Sequence, residues 1–402
     1  MLDVILLILI LFITTNISRS SYSQERFSLT VVYTNRASLR IVPTHRASPQ
    51  TIPSNRTSLQ TIPPNQTSLQ TIPPIRSSLQ TVSTIQPDSE PVIWGKPLKD
   101  ETWKISKALQ MLIEGKPSEP NNVIIFSPNV WAGFCNNFRT IRGLALYSIL
   151  KGFKLRILWK EYFEVMSPTL SVLSKTTSRS CGFIANFYDN VNNMNLHGCY
   201  YTNEIMDVTD LLLSIEENRK KLVELGFFSD IPKNEEVTHF LSLVFFQLNS
   251  VLQKEVDEFY SQYRNDFLVG IQLRTGGKLS DSYESSMFLT EEKLPLAYAF
   301  IMEAIRNTTM PNVTVFLSTD SSYVQADAKK NLPYTVISAD MYKIGHSSPE
   351  RQRQKVLDCT KRAVVDIYLL SKCSVLITTG HSSFGDTANA LSLATTKLHL
   401  FV

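Results

Sequence analysis

Cysteine, histidine and net charge are all scarce in this chain of 402 residues, and each shortage narrows its class. The cysteines (Cys135, Cys181, Cys199, Cys359, Cys373) form no C-x-x-C pair and share no metal-finger spacing with the 6 histidines, which excludes a structural zinc site. The formal charge is only +4. Residues 1–90 contain 7 arginines, no lysine and 4 acids, so +3 lies there and the remainder is near +1. A near-neutral body argues against nucleic acid as the main partner. One long apolar run exists, Leu2 to Ile13, broken only by Asp3. It falls short of the roughly 20 apolar residues of a membrane span and lacks the basic start of a secretory signal. Signal peptide and signal-anchor readings of residues 1–18 both fit. Either one places the body in the secretory pathway, as a Golgi or ER membrane protein facing the lumen or as a secreted one.

A decapeptide repeat follows, from Arg26 (RFSLTVVYTN, RASLRIVPTH) to Ile85 (RSSLQTVSTI). Each unit has too few large apolar groups to bury a core, and its Ser, Thr and Pro favour an extended, solvated stalk. Residues 19–90 therefore read as a disordered stem, with sequons at Asn55 and Asn65.

From about Pro91 short apolar strands alternate with amphipathic helices. Val123–Phe126, a helix carrying Ile141, Leu144, Ala145, Ser148 and Ile149 on one face, and Lys154–Trp159 make a βαβ unit. A second set comprises strands Phe267–Leu273, Val313–Ser318, Tyr334–Ile337, Ser374–Thr378 and Lys397–Phe401, with helices Glu291–Arg306, Tyr323–Asn331, Asp358–Ser371 and Asp386–Leu393 between them. The pattern predicts two α/β halves, residues 91–255 and 256–402, facing a cleft at their strand carboxyl ends.

Four strand-end segments have groups suited to such a cleft. SVLITTGHSSFGDTANAL (374–391) reads as a strand breaking into a small-residue loop before a helix, where backbone N–H groups and the helix dipole favour an anion. Within it Ser382 and Ser383 offer hydroxyls, Phe384 a ring, and Gly385 open backbone. GFCNNFR offers Gly133, Asn136 and Arg139, although Asn136 or Asn137 as an ordinary helix cap explains the same residues. GIQLRTGG places Gln272 and Arg274 on one face of a strand end, where a guanidinium clamps a phosphate bidentately or forms a surface ion pair. FLSTDSS presents Asp320, to orient a base or ribose or to cap a helix. Asp366 lies among Val364, Val365, Ile367 and Leu369 on the helix before the last segment, facing solvent or pairing with an arginine inside the fold.

In their order these segments resemble the GDP-fucose-dependent fucosyltransferases of the α1,2, α1,6 and protein O-fucosyl type. GFCNNFR matches the early G-x-x-N-x-[LF] loop, and Gln272 with Arg274 the [HQ]-x-R motif in the glutamine form of plant cell-wall enzymes. FLSTDS is similar to the F-x-[AS]-[TS]-D loop, and AVVDIYLLSKCSVLITTGHSSFGDTANAL to the family's last motif. The resemblance, over residues 120–402, implies a GT-B-like fold with an acceptor-side half and a GDP-sugar half. It also implies inverting transfer of fucose from GDP-fucose to a glycan or glycoprotein hydroxyl, with no metal required. The absence of a D-x-D triplet agrees, since arginine and N–H groups then stabilise the departing pyrophosphate. Arg274 is the expected catalytic group, with Gly133, Asn136, Arg139, Gln272, Asp320, Asp366 and Ser382 to Gly385 holding the donor.

Thr275, Gly276 and Gly277 stand where some relatives carry a second arginine or an aspartate, so a two-arginine clamp is not expected. Asp281 and Glu284 are the nearest carboxylates downstream for a general base. Two other readings keep the fold: transfer from a different nucleotide sugar, and a non-catalytic binder of glycan or nucleotide. Cys181 and Cys199 flank a polar segment and suit a disulfide. Cys359 and Cys373 bracket a helix roughly 20 Å long, too far apart to bond.

Overall fold

The structure is a computed structural model. It describes residues 29–32, 40–43 and 99–400, apart from 175–180, 185–190, 192–195, 206, 283, 307–309, 311, 346, 348–355 and 393–395. The apolar run Leu2–Ile13 and the sequons at Asn55 and Asn65 lie outside the described residues. Among those described, no helix is long and apolar enough to cross a membrane. The chain forms two units, residues 1–82 and 83–402. In the first, β1 (Leu29–Val32) pairs antiparallel with β2 (Arg40–Pro43), Leu29 opposite Pro43. This corrects the wholly unpaired stem over its first two repeats. Val31, Val32, Ile41 and Val42 are the densest β-branched residues of the repeat and suit a pleated pair.

The second unit opens with α1 (Lys99–Glu114) and then builds a parallel sheet. Its elements are β3 (Val123–Phe126), α2 (Phe134–Lys151), β4 (Lys154–Ile157), α3 (Lys160–Val165), β5 (Gly182–Phe183) and β6 (Cys199–Thr202). The strand order is β4-β3-β6-β5. A Cys181–Cys199 disulfide forms where β5 and β6 begin, while Cys135, Cys359 and Cys373 are buried. β4 stops two residues before the expected Trp159, because Trp159 is already the N-cap of α3. α2 is buried on almost every side and ends at Gly152, whose left-handed φ of 77° lets its N–H reach back to the Ser148 carbonyl.

Four helices bridge to the second sheet: α4 (Thr209–Leu213), α5 (Glu216–Glu224), α6 (Asn234–Phe245) and α7 (Ser250–Ser261). The boundary drawn at residues 255 and 256 falls inside α7, which runs through it unbroken. Then come β7 (Phe267–Leu273), a small antiparallel pair of β8 (Gly276–Gly277) and β9 (Glu284–Met287), α8 (Leu294–Arg306), β10 (Val313–Thr319), α9 (Ser322–Asn331), β11 (Thr335–Ile337), α10 (Val356–Ser371), β12 (Val375–Thr379), α11 (Ser383–Leu391) and β13 (Thr396–Leu400). The large sheet is wholly parallel, in the order β11-β10-β7-β12-β13. Strands β7, β10 and β12 are buried along nearly their whole length, as expected of a parallel sheet covered on both faces.

Both sheets are doubly wound. In the larger, chain order reverses between β7 and β12; in the smaller, between β3 and β6. Such switch points leave a crevice at the strand carboxyl ends. One apolar cluster joins the two sheets: Phe138, Leu144 and Leu150 of α2, Leu241 and Phe245 of α6, Val364 and Leu369 of α10 and Ala388 of α11 belong to a single buried core.

Candidate functional site

A cavity of about 300 Å³ opens at the carboxyl ends of β3, β7, β10 and β12. Gly133, Asn136, Arg139, Gln272, Arg274, Asp320, Asp366, Ser382, Ser383 and Phe384 all line it, so residues from four distant segments meet as the motifs implied.

Two helix N-termini face this space. α11 begins at Ser383, three residues earlier than the periodicity suggested, because the Ser382 hydroxyl caps it by accepting from the Gly385 N–H. The N–H groups of Ser383 and Phe384 precede that bond and have no partner among the described residues. α2 starts at Gly133 with no side-chain cap. Asn137, which the ordinary-cap reading invoked, instead staples the preceding loop: its amide donates to the carbonyls of Asn129 and Ala132, and its oxygen accepts from the Asn129 N–H at 2.8 Å. The Ser347 hydroxyl takes the Phe134 N–H, and the N–H groups of Cys135 and Asn136 at the cavity wall have no partner among the described residues. Four backbone donors and two dipole ends therefore point at one place, an arrangement that attracts an anion. Between β12 and α11, His381 takes a left-handed φ of 59°, an uncommon conformation for a residue with a side chain.

Gln272 is a staple of the switch point. Its side-chain oxygen accepts from the Thr379 N–H, its carbonyl accepts from the Thr379 hydroxyl, and that hydroxyl oxygen accepts the Arg274 N–H at 2.9 Å. Arg274 is thereby fixed at the strand end, its guanidinium over the Phe288 ring and 3.4 Å from Asp320. Asp320 does not cap α9, where Ser321 does so. One oxygen accepts from the Thr275 N–H and hydroxyl, the other from the Gly276 N–H and faces Arg274. Three hydrogen bonds and one ion pair thus hold Asp320 within the protein at the cavity wall.

Arg139 donates to Asp207 at 3.1 Å and to Asp386 at 3.2 Å, tying α2 to the N-terminus of α11. Burial pushes the Asp207 carboxyl up, but Arg142, Thr209 and Arg139 outweigh it and hold it below the usual carboxylate range. Burial pushes the Cys135 thiol up to about 12, so this wall of the cavity carries no thiolate. Asp366 pairs inside the fold: both oxygens accept from the Arg362 Nε at 2.9 Å, and one also from the Ser318 hydroxyl at 2.8 Å. Burial raises its pKa against the opposing pull of Arg362.

Two expectations do not hold. Gly385 is absent from the cavity wall; a Cβ there would sit 2.8 Å from the Thr378 Cβ and 3.0 Å from the Gln272 side-chain oxygen, so its smallness serves helix-on-strand packing. Asp281 also lies off the cavity, accepting from the N–H and hydroxyl of Ser322 at the start of α9. A carboxylate so placed is a structural anchor, because a general base must reach the acceptor hydroxyl. The Glu284 side chain lies outside the described residues. Its strand reaches the cavity through Ser286 and Phe288. Arg362, unmarked by any motif, was missed; its signal is the i,i+4 spacing to Asp366. Among the described residues no group of three or more His, Cys, Asp or Glu is placed to hold a metal ion.

Residues 233–395 match the family of nodulation protein Z, NodZ. That span holds Gln272, Arg274, Asp320, Asp366 and Ser382 to Gly385, whereas Gly133, Asn136 and Arg139 lie before it. No curated protein matches. Among solved structures the chain is similar to a NodZ α1,6-fucosyltransferase soaked with GDP-fucose, at 18% identity over 68% of this chain and 93% of the other, TM-score 0.42. An Arabidopsis thaliana FUT1 mutant in complex with GDP is 14% identical over 75% of this chain and 79% of its own, TM-score 0.49. POFUT1 in complex with GDP is 8% identical over 71% and 99%, TM-score 0.41. The family match bears out the resemblance drawn from the loops over residues 233–395.

Proposed function

We propose that the chain is a glycosyltransferase that moves fucose from GDP-fucose, with inversion, to the hydroxyl of a glycan or glycoprotein. The observation that carries this reading is the convergence of two helix N-termini and Arg274 on one cavity at paired switch points.

The pyrophosphate is placed on the N–H groups of Ser383, Phe384, Cys135 and Asn136. Arg274 neutralises the charge that grows as the C1–O bond breaks, and these donors are fixed before the reaction, so little reorganisation accompanies it. Asp320 acts through Arg274 and the 275–276 backbone as a positioning residue. Among the described residues the two carboxylates that line the cavity, Asp320 and Asp366, are hydrogen-bonded within the fold. That favours a step in which the leaving group departs ahead of full deprotonation of the acceptor. We take the transfer to need no metal, since arginine and N–H groups supply the charge stabilisation. The Cys181–Cys199 disulfide supports an oxidising, lumenal or extracellular setting.

The test is binding and turnover by the full chain. It is expected to bind GDP in preference to UDP, with or without chelator, and to release GDP from GDP-fucose when acceptor glycans are supplied. Arg274→Ala is expected to cut turnover about 10²- to 10³-fold, the usual cost of deleting an anion-stabilising donor. Preference for UDP, or full activity of the variant, overturns the reading.

A further inference from the structure

The amino ends of the large sheet, across from the cavity, hold a motif that the cavity does not explain. Asn312, Val313 and Thr314 form a sequon for N-linked oligosaccharide, with no proline at its middle position. Asn312 is exposed in the turn that leads into β10, where its φ of 52° is a left-handed conformation that asparagine adopts more readily than most residues with a side chain. Its carbonyl accepts the Phe267 N–H at 3.0 Å, which ties the turn to the start of β7. Two places on, Thr314 is buried and its hydroxyl donates to Asp266 at 2.7 Å. The fold thus uses the backbone of Asn312 and the hydroxyl of Thr314, and neither bond engages the Asn312 carboxamide.

The surroundings suit a sugar chain at this place. An N-linked glycan is bulky and solvated, so the folded protein tolerates it only where its root faces water, as at an exposed turn. The Cys181–Cys199 disulfide belongs to the oxidising compartment in which such glycans are added. Ser318 and Thr319, at the far end of β10, line the cavity, so the 7 residues of that strand, at about 3.3 Å each, put Asn312 about 20 Å from it. An oligosaccharide rooted there leaves the mouth of the cavity open.

We propose that Asn312 is a modification site whose side-chain amide carries an N-linked oligosaccharide. This rests on the lumenal or extracellular setting of the chain. The amide nitrogen attacks the anomeric carbon of a lipid diphosphate-linked oligosaccharide, and a C–N bond forms as the C–O bond to the diphosphate breaks. The lipid diphosphate leaves, the nitrogen gives up one proton, and nothing is oxidised or reduced.

The full chain, made in a eukaryotic secretory host, is treated with a peptide N-glycosidase in heavy-oxygen water, which turns each glycan-bearing asparagine into labelled aspartate, and its peptides are read by mass spectrometry. Most molecules are expected to carry the label at Asn312. Asn307 begins another sequon on the same tryptic peptide, so an Asn307→Asp chain, expected to keep the Asn312 label, separates the two. Asn312→Asp keeps a side chain that tolerates left-handed φ and removes the acceptor amide, and it is expected to lose the electrophoretic step of one glycan. An unlabelled Asn312 in the wild type overturns the proposal, and this reading needs no variant to fold. Label at Asn55 or Asn65 with none at Asn312 overturns the site while the lumenal setting stands, whereas a chain with no label at any sequon overturns both.

Discussion

At the scale of single residues, two aspartates that look alike in the sequence have different duties. Asp320 holds the backbone after β7 and faces Arg274, whereas Asp281 anchors the first turn of α9 away from the cavity. Asp281→Ala is expected to leave turnover within about threefold of wild type and to cost about 1 kcal/mol of stability, the usual value of a lost helix-terminal acceptor. Asp320→Ala is expected to lower both: it strands a half-buried arginine and two N–H groups, a change worth about 2–3 kcal/mol. Denaturant unfolding and initial rates on both variants check the pair, and a silent Asp320→Ala refutes the positioning role. Arg274 and Gln272 were legible because alternation at a strand end fixes which residues share a face. Arg362 was not, since an arginine four residues before an aspartate on an apolar helix reads equally as an exposed ion pair.

At the scale of elements, the strands and helices of the large sheet were legible to within a few residues, because continuous apolar runs ending in small polar loops have few other readings. The first turn of α11 was misplaced for a physical reason. Ser, Ser, Phe and Gly are weak helix formers, and only the Ser382 cap recruits them. The same weakness hid the purpose of Gly385, whose missing side chain serves the contact with Thr378 and Gln272. Gly385→Ala is expected to destabilise the fold by about 1–3 kcal/mol, as overpacking does, and to loosen the GDP site with it because the helix terminus must move. Thermal unfolding with and without GDP reads both effects, and an unchanged melting temperature refutes the packing argument.

At the scale of the whole molecule, charge pairing between elements sets the response to acid. Asp207, held by Arg142 and Arg139 of α2, has its pKa lowered on folding. Its contribution is therefore complete above the ordinary carboxylate range and fades as pH drops through the folded value. Asp366 is shifted the other way by burial, so its ionised form opposes folding at neutral pH and protonation relieves that. Asp207→Asn is expected to lower stability at neutral pH and to flatten the acid limb of the stability curve. A variant with an unaltered acid limb shows that the Asp207 pairs contribute little.

The apolar cluster that runs through α2, α6, α10 and α11 has a kinetic consequence. A clamshell opening of the two sheets would expose Phe138, Leu241, Val364 and Ala388 to water together. Donor exchange must then pass through movement of the loops around the cavity mouth, and the pace of product release is set by segments such as 127–133 and 380–382 rather than by a hinge between halves.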